Sequence, residues 1–360
     1  MTLRRMRRLF RPAAIMSVLV LLATACAKNA PQDVLAPDGP ISRQVNTLFQ
    51  PVFWIATFVF VFVEGLILFA VIKFRDRPGR EEPKQIHGNA KLEFTWTVIP
   101  ALILLGIAFP TVATIFSINA KHQPNEVRVK VIGHQWWWEY QYLDTKPLIT
   151  TANELVIPIN RPVYLELESA DVIHSFWVPK LAGKQDVVPA RTNTLQLRAD
   201  RPDQNYFGQC AEFCSISHAN MRLRVRTMTE AGYDAWVKAQ QGPGVTPTTT
   251  DAIEGQKQFM ANACIQCHAI AGTAAQGALG PNLTHFADRT TFGSATFENT
   301  DALLFEWVKH ARLVKPGVLM PDFDRPLNAD DPASAATGGT FKQLTDEQIR
   351  QIVAYLRSLV

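Results

Sequence analysis

The pattern of hydrophobic positions begins with three long apolar runs, at residues 13–25, 53–72 and 94–119. The first has thirteen residues, which are too few to span a bilayer. The second has twenty and is interrupted only by Glu64, and the third contains no charged side chain. Each of these two is long enough to cross a membrane as a helix, so residues 51–120 are predicted to form a transmembrane helical hairpin.

Positive charge is concentrated between the two long runs. Six basic residues lie there: Lys73, Arg75, Arg77, Arg80, Lys84 and Lys91. By the positive-inside rule, this short loop is cytoplasmic. The chain after about residue 120 is therefore expected on the periplasmic or extracellular side of a bacterial inner membrane, which the protein crosses more than once.

The first 25 residues have the pattern of a secretory signal peptide. Five arginines precede the shortest apolar run, which ends in Ala-Thr-Ala directly before Cys26. Residues 26–50 then form an extracytoplasmic segment. A cysteine directly after small residues is also typical of a lipoprotein signal. Lipidation of Cys26, plain cleavage and a retained anchor therefore all stay open.

Composition narrows the class of protein. The chain is 47% hydrophobic, which excludes disorder throughout, and its formal net charge is +4. Without the five N-terminal arginines, 31 basic and 32 acidic side chains remain. Because the basic excess lies at the N-terminal end and the rest of the chain is close to neutral, we expect no nucleic-acid partner.

Beyond residue 120 the pattern changes to the alternation of strands. Val127, Val129 and Val131 alternate with basic residues, and further short apolar segments follow between turn signals. This predicts an all-β sandwich at residues 121–230. Residues 231–250 end in a stretch rich in Gly, Pro and Thr and are predicted to be a linker.

The remaining residues, 251–360, are predicted to form a helical domain. Its first helix is expected at residues 253–263 and its last at 345–359, where Thr345 opens a capping box. Residues 328–340 are small and polar, which favours a surface loop.

Two cysteines of the sandwich belong to a cluster of soft ligands. Cys210, Cys214, His218 and Met221 fall within twelve residues, and His174 is expected to join them from another loop of the sandwich. Thiolate and thioether sulfur together with imidazole favours copper over hard cations. The alternative is a disulfide between the two cysteines in an oxidising compartment.

The helical domain carries the sequence Cys264-Ile-Gln-Cys267-His268, the attachment signature of c-type haem. In this pattern the two cysteines form thioether links and the histidine is an axial ligand. Without the histidine, the alternative is a thioredoxin-like redox pair. Met320 is favoured as the second axial ligand, with His285 and His310 as its rivals.

Four stretches resemble subunit II of the heme-copper cytochrome c oxidases. Three of them are residues 94–100 (Phe-Thr-Trp-Thr-Val-Ile-Pro), residues 133–140 (Gly-His-Gln-Trp-Trp-Trp-Glu-Tyr) and residues 171–179 (Asp-Val-Ile-His-Ser-Phe-Trp-Val-Pro). The fourth is residues 210–221, which we call the cysteine loop. The C-terminal domain is similar to class I cytochrome c. The resemblance implies a multi-domain fold with a two-helix transmembrane hairpin, an all-β cupredoxin-like sandwich and an all-α cytochrome c domain.

The resemblance also implies a binuclear copper centre and a role for each ligand. In that family two cysteines bridge both coppers, two histidines each bind one copper, a methionine is a weak ligand and a glutamate binds through its carbonyl. The matching residues here are Cys210 and Cys214, His174 and His218, Met221, and Glu212. The family's glutamate side chain also reaches a magnesium ion shared with subunit I.

Further functional residues are carried over from the same family. Trp136, the first of three consecutive tryptophans, would be where electrons enter, although aromatic packing alone would also explain such a run. Glu93 corresponds to the mouth of a proton pathway into subunit I, with an ordinary interfacial charge as the alternative. For Glu64 two roles stay open, a pair with subunit I or a protonated packing residue.

The predicted function is that of the oxidase subunit that receives electrons and passes them from haem to copper and on to subunit I. Oxygen is reduced to water there, coupled to proton pumping, so the chain is an enzyme only as part of the complex. Expected partners are subunit I, subunit III and a donor such as cytochrome c or the quinol–cytochrome c reductase complex. Two alternatives are a quinol-oxidase subunit II, which lacks the copper ligands, and a membrane-tethered copper and haem relay outside any oxygen-reducing complex.

Overall fold

The computed structural model describes residues 30–75 and 87–360, together with the isolated positions Met16, Ser17, Val20, Gly79 and Gln85. Cys26 lies outside the described residues, and so does the predicted signal peptide apart from Met16, Ser17 and Val20. Within the described part, two long apolar helices precede a β-sandwich and a helical domain, in the predicted order.

The two apolar helices are α1, Pro40–Phe74, and α2, Ala90–Ile118, and both are long enough to cross a membrane. Ser117 donates a 3.0 Å hydrogen bond to the side chain of Gln44, so the end of α2 lies beside the start of α1. Helix α1 begins well before the predicted residue 51. Pro40 suits a first helical position, and Ser42 is buried where its hydroxyl donates to the Lys180 carbonyl of the sandwich.

Ten strands form the sandwich. They are β1 Val127–His134, β2 Trp137–Tyr142, β3 Ile149–Ala152, β4 Glu154–Pro158, β5 Val163–Ser169, β6 His174–Trp177, β7 Gln185–Val187, β8 Asn193–Leu197, β9 Asn205–Cys210 and β10 Arg222–Met228. One sheet has the order β3-β2-β1-β5-β8 and the other β4-β10-β9-β6-β7. The valines of β1 alternate buried and half-buried, as the sequence pattern predicts. Trp138, Tyr140 and Phe176 are fully buried in the sandwich core.

The segment predicted as a linker begins with a helix instead. Helix α3, Glu230–Gln240, is capped by Thr229, whose side chain accepts from the Gly232 amide. Trp236 packs on Tyr142 of the sandwich with ring centroids 5.1 Å apart. Aromatic residues on one face of α3 therefore attach it to the sandwich, and only residues 241–249 connect the two domains.

The helical domain contains six helices and a short hairpin within the described residues. They are α4 Thr250–Met260, α5 Cys264–Cys267, β11 Thr291–Phe292, β12 Phe297–Glu298, α6 Asp301–Lys309, α7 Ala311–Val314, α8 Pro332–Ala336 and α9 Asp346–Arg357. The predicted capping box is present at Thr345 and Gln348. Helices α4 and α9 cross at Gly255, where a Cβ would lie 1.8 Å from the Gln351 carbonyl oxygen. Only glycine allows so close an approach.

The prediction of a surface loop at residues 328–340 is partly wrong. This segment contains α8, which is capped by Asp331. Ala333 and Thr337 are buried against the rest of the domain, and Ala336 and Thr337 line the cavity described below. Residues 328–330 and 338–340 are exposed, as predicted for a surface loop.

Candidate functional site

The predicted copper ligands converge at one end of the sandwich. His174 begins β6, Cys210 ends β9, and the other three lie in the loop that leads into β10. The separations are 3.8 Å from Cys210 Sγ to Cys214 Sγ, 3.9 Å from Cys210 Sγ to His174 Nδ1, 3.5 Å from Cys214 Sγ to His218 Nδ1, and 3.8 Å from Cys214 Sγ to Met221 Sδ. The sequence therefore identified residues that the fold does bring together.

The backbone of Glu212 also takes part in this cluster. Its carbonyl oxygen lies 3.2 Å from Cys210 Sγ, whereas the residue as a whole is exposed. This arrangement matches the carbonyl ligand that the family resemblance implies. It leaves the carboxylate at the surface, outside the group of sulfur and imidazole ligands.

The two sulfurs are not joined as a disulfide. Both cysteines are free, and their 3.8 Å separation is far longer than the bond of about 2 Å. The hydrogen bond with Cys214 lowers the pKa of Cys210 to about 4, and the same contact raises the pKa of Cys214. Cys210 is therefore favoured as a thiolate, which is the form of cysteine that binds a metal ion.

Asp171 orients the imidazole of His174. Its carboxylate lies 2.8 Å from His174 Nε2, which leaves Nδ1 facing Cys210. Burial alone would raise the pKa of Asp171, but hydrogen bonds from His174 and from the Val172 and Gln135 amides hold it below its ordinary value. Such a carboxylate fixes the tautomer and direction of a metal-binding histidine. No pattern in the sequence indicates this role of Asp171.

Gly133 provides the space for that imidazole. A Cβ on Gly133 would lie 2.8 Å from His174 Cδ2. No side chain larger than hydrogen fits there without displacing the ring. The signal for this residue was its place in the Gly-His-Gln-Trp stretch, although its contact with His174 depends on the tertiary fold.

The three consecutive tryptophans have three different environments. Trp138 is fully buried in the sandwich core, and Trp137 stacks on His134 with ring centroids 4.2 Å apart. Trp136 is 7% exposed, and its Nε1 donates a 2.6 Å hydrogen bond to the Cys214 carbonyl. Aromatic packing in the core explains Trp138 well, but it does not explain the contact of Trp136 with the cysteine loop.

Trp136 also forms part of the interface with the helical domain. Its backbone carbonyl accepts hydrogen bonds from the Ser294 hydroxyl and, at 2.6 Å, from the Lys315 ammonium. A Cβ on Gly317 would lie 2.7 Å from the indole ring. Trp136 thus contacts the cysteine loop through its indole N–H, and the second domain through its backbone carbonyl and the far end of its ring.

A largely apolar cavity in the helical domain holds the predicted haem-binding residues. It encloses about 1340 Å³ of space free of protein atoms, part of it open to solvent. Cys264, Cys267, His268 and Met320 all line it, and so does Trp136 from the sandwich. The same cavity that carries the haem attachment residues therefore reaches the tryptophan that contacts the cysteine loop.

His268 is prepared for a role as an axial ligand. Its Nδ1 lies 2.8 Å from the Pro281 carbonyl, so this nitrogen donates there and leaves Nε2 available for a metal. Burial lowers the pKa of His268, which favours the neutral ring. A Cβ on Gly280 would lie 2.7 Å from His268 Cε1, so Gly280 is required beside the ring.

The two cysteines of the haem signature have the wrong environment for a thioredoxin-like pair. Burial raises the pKa of Cys264 to about 12 and also raises the pKa of Cys267. Redox-active thiols of that kind have lowered pKa values instead. Both cysteines are free and line the cavity, as thioether attachment requires.

Of the three candidates for the second axial ligand, Met320 is the one that lines the cavity. Both nitrogens of His285 are engaged by backbone carbonyls, those of Val360 at 3.0 Å and Gly242 at 3.1 Å. His310 pairs with Asp324 at 3.3 Å instead. The two histidines therefore have structural partners outside the cavity.

Arg289 places a cation in the wall of the same cavity. One of its terminal nitrogens donates to the Asn282 carbonyl, whereas the buried Nε has no partner among the described residues. Burial lowers the pKa of Arg289 to about 10. A buried guanidinium with an unused donor fits an anionic group, and a haem propionate is such a group. The residues present thus fit a haem.

The two membrane-associated carboxylates differ in their surroundings. Glu93 lies in the first turn of α2, where its carboxylate accepts a 3.3 Å hydrogen bond from the Asn89 amide. Glu64 is exposed midway along α1, and none of the described residues pairs with it. Glu93 therefore helps to cap its helix, while Glu64 faces whatever surrounds the hairpin.

Comparison with known proteins gives a consistent assignment of all three parts. Residues 32–114 match the family described as "Cytochrome C oxidase subunit II, transmembrane domain", and residues 145–228 match "Cytochrome C oxidase subunit II, periplasmic domain". Residues 252–360 match the family "Cytochrome c".

Individual relatives cover most of the chain. A cytochrome c oxidase subunit 2 from Alkalihalophilus pseudofirmus is 36% identical over 352 residues, which are 96% of this chain and 95% of that protein. The corresponding protein of Bacillus sp. strain PS3 is 36% identical over 304 residues, covering 79% of this chain and 80% of its own. The solved periplasmic domain of subunit II of cytochrome oxidase from Bradyrhizobium japonicum is 28% identical, covers 32% of this chain and 93% of its own, and has a TM-score of 0.31.

Proposed function

Because the chain belongs to the cytochrome c oxidase subunit II family, we propose that it is the subunit through which electrons enter a terminal oxidase. It receives electrons at a c-type haem in its own C-terminal domain and passes them to a binuclear copper centre in the sandwich. From there they go to subunit I, where oxygen is reduced to water. The observation that carries this proposal is Trp136, which lines the haem cavity and donates to the cysteine loop.

Six residues are proposed to hold two copper ions: His174, Cys210, Glu212 through its carbonyl, Cys214, His218 and Met221. Two sulfurs 3.8 Å apart, one of them strongly favoured as thiolate, support a shared, positively charged centre. Bound copper would supply one-electron redox chemistry. Asp171 and Gly133 hold His174 in position, so the ligands are arranged by the protein in advance.

Four residues are proposed to hold the haem. Cys264 and Cys267 form the thioether links, and His268 and Met320 are the axial ligands. A histidine and methionine pair raises the reduction potential of haem, which suits a donor to copper. Arg289 would neutralise a propionate, and the largely apolar wall of the cavity would pack against the haem ring.

The membrane hairpin is proposed to attach the chain to subunit I and to a subunit III. Both helices cross the membrane with the basic loop in the cytoplasm, and the two soluble domains lie on the outer side. In this orientation Glu93 stands at the cytoplasmic end of α2 and serves as the mouth of a proton pathway. The exposed carboxylate of Glu212 is available for a magnesium ion shared with subunit I. A signal peptide ends before Cys26, which is a candidate for lipidation.

The test is purification of the full-length chain from membranes of cells that mature c-type cytochromes and are supplied with copper. We expect one covalent haem and two coppers per chain, an unpaired electron shared by both coppers in the paramagnetic spectrum, and a many-helix partner that carries haem. Purification of the loaded chain alone would favour a tethered relay. Haem without copper, with a Cys210 to Cys214 disulfide, would refute the proposal.

A further inference from the structure

Glu154, the first residue of β4, is a buried carboxylate at the interface between the sandwich and the haem domain. It is 2% exposed. Its Oε1 accepts hydrogen bonds from the Thr290 hydroxyl at 2.7 Å, the Thr291 amide at 2.7 Å and the Thr291 hydroxyl at 2.6 Å. Its Oε2 lies 3.2 Å from both the Thr290 amide and Arg226 Nη1. Four of its five donors therefore come from the other domain.

This distribution of donors makes the carboxylate depend on docking. Among the described residues, Arg226 is the partner that the sandwich itself provides, and its guanidinium also donates to the Asp288 carbonyl of the haem domain at 3.0 Å. In the docked state these hydrogen bonds offset the cost of removing the carboxylate from water. Separation of the domains would remove four donors from Glu154 at once, so these contacts favour one docked arrangement.

A single segment of the haem domain, residues 290–294, connects this contact with the proposed electron path. Thr290 and Thr291 bind Glu154 at one end, and at the other end Ser294 donates to the carbonyl of Trp136. Lys315 reinforces that end by donating to both the Trp136 carbonyl and the Ser294 hydroxyl, each at 2.6 Å. Glu154 therefore fixes one end of the segment whose other end holds Trp136.

We propose that Glu154 is a positioning residue that locks the haem domain against Trp136. Electron transfer within the chain then starts from a pre-docked state and does not wait for the domain to diffuse on the tether of residues 241–249. This inference rests on the proposed function. Glu154 does not line the haem cavity and does not belong to the sulfur and imidazole cluster, so it acts through geometry.

The experiment uses the full-length, haem- and copper-loaded chain and compares Glu154→Gln with the wild type. The haem is reduced by a light pulse, and the reduction of copper is followed at several viscosities. We expect one viscosity-independent phase in the wild type. In the variant we expect a second phase that is slower by about tenfold or more, because Arg226 has lost its buried charge partner. This second phase should slow further as the viscosity rises. Copper and haem spectra stay unchanged.

A second measurement does not depend on the cofactors. Limited proteolysis within residues 241–249 should be faster in Glu154→Gln than in the wild type, because an undocked domain exposes its tether. The matched control is Glu166→Gln, which breaks a 2.9 Å ion pair with Arg128 inside the sandwich and should change neither measurement. Thr291→Val removes one donor from the haem-domain side and should change the kinetics and the proteolysis in the same direction as Glu154→Gln. It replaces Glu154→Gln in the test if that variant does not assemble.

The outcomes separate the two proposals. A single fast phase with wild-type proteolysis in both variants would overturn the role of Glu154 and leave the proposed function intact. A shifted haem potential with single-phase kinetics would show only an electrostatic effect of the lost charge and would also overturn it. Absence of electron transfer between loaded haem and copper in the wild type would instead refute the proposed function.

Discussion

The indole Nε1 of Trp136 donates a 2.6 Å hydrogen bond to the backbone carbonyl of Cys214. Cys214 is a proposed copper ligand, and the same tryptophan lines the haem cavity. One side chain thus contacts both proposed redox sites. The hydrogen bond ties the indole to the cysteine loop and so restricts the motion of the ring relative to it.

Trp136→Phe tests this relationship. Phenylalanine retains an aromatic ring but loses the donor to Cys214, so copper should still bind while transfer from haem to copper slows. A decrease of about tenfold or more is expected, equivalent to about 1.4 kcal/mol in activation free energy. The measurement is the rate of copper reduction after a light pulse. Trp236→Phe, which alters the packing of α3 on Tyr142, is the control. Equal rates in the two variants would contradict the assignment.

Gly133→Ala should impair copper binding selectively. The added Cβ would lie 2.8 Å from His174 Cδ2 and displace the imidazole. Overpacking of this kind costs about 1–3 kcal/mol. We expect fewer coppers per chain and unchanged haem content, measured by metal analysis and optical spectra. Gly183→Ala is the matched control, because a Cβ there meets no atom within 4 Å. Full copper occupancy in Gly133→Ala would argue that His174 is not a ligand.

Asp171→Asn should weaken copper binding without removing a ligand. The amide no longer offers a carboxylate to His174 Nε2, so the ring loses its fixed orientation. Loss of such a partner lowers metal affinity about 10- to 100-fold. Competition with a copper chelator measures this change. Asp186→Asn, at an exposed position on the neighbouring strand β7, should leave the affinity unchanged.

Most of the site residues that the sequence revealed lie close together along the chain, whereas His174 and Met320 were predicted from the resemblance to known families. Cys210, Cys214, His218 and Met221 lie in one loop, and the haem signature occupies five consecutive residues. In such cases the local order of residues already limits which atoms can meet. The capping box of α9 was predicted for the same reason, because Thr345 and Gln348 interact across a single turn.

Contacts between distant segments could not be predicted in this way. Thr291 meets Glu154 from 137 positions along the chain, and both residues look like ordinary surface residues in the sequence. Helix α3 was predicted to be part of a linker, because the packing of its few aromatic residues on Tyr142 is visible only in the folded chain. Burial decides the role of such residues, and burial is a property of the assembled domains.

Arg312 holds the segment that carries Met320. Its guanidinium donates to the carbonyls of Val318 and Leu319, each at 3.2 Å, and forms an ion pair with Asp331. In Arg312→Ala these anchors are lost, so methionine ligation should become partial. The measurement is the near-red charge-transfer absorption of methionine-ligated ferric haem, which should weaken. Arg325→Ala, an exposed arginine of the following turn, is the control and should retain the band.

The pair of Arg312 and Asp331 also predicts a pH dependence of stability. Its hydrogen bond holds the pKa of Asp331 below the ordinary value. A carboxylate whose pKa is lowered on folding stabilises the protein above its unfolded pKa of about 3.9, and this contribution is lost as the pH falls through the lower folded pKa.

Asp331→Asn should therefore be less stable than the wild type at neutral pH, by about 1 kcal/mol for a partly exposed pair. The difference should shrink toward zero as the pH falls below about 4. Denaturant unfolding of the full chain, followed by haem absorption at several pH values, measures it. Asp330→Asn, at the exposed neighbouring position, should show little difference at any pH. A stability difference for Asp331→Asn that stays constant from neutral to acid pH would contradict the assigned charge pair.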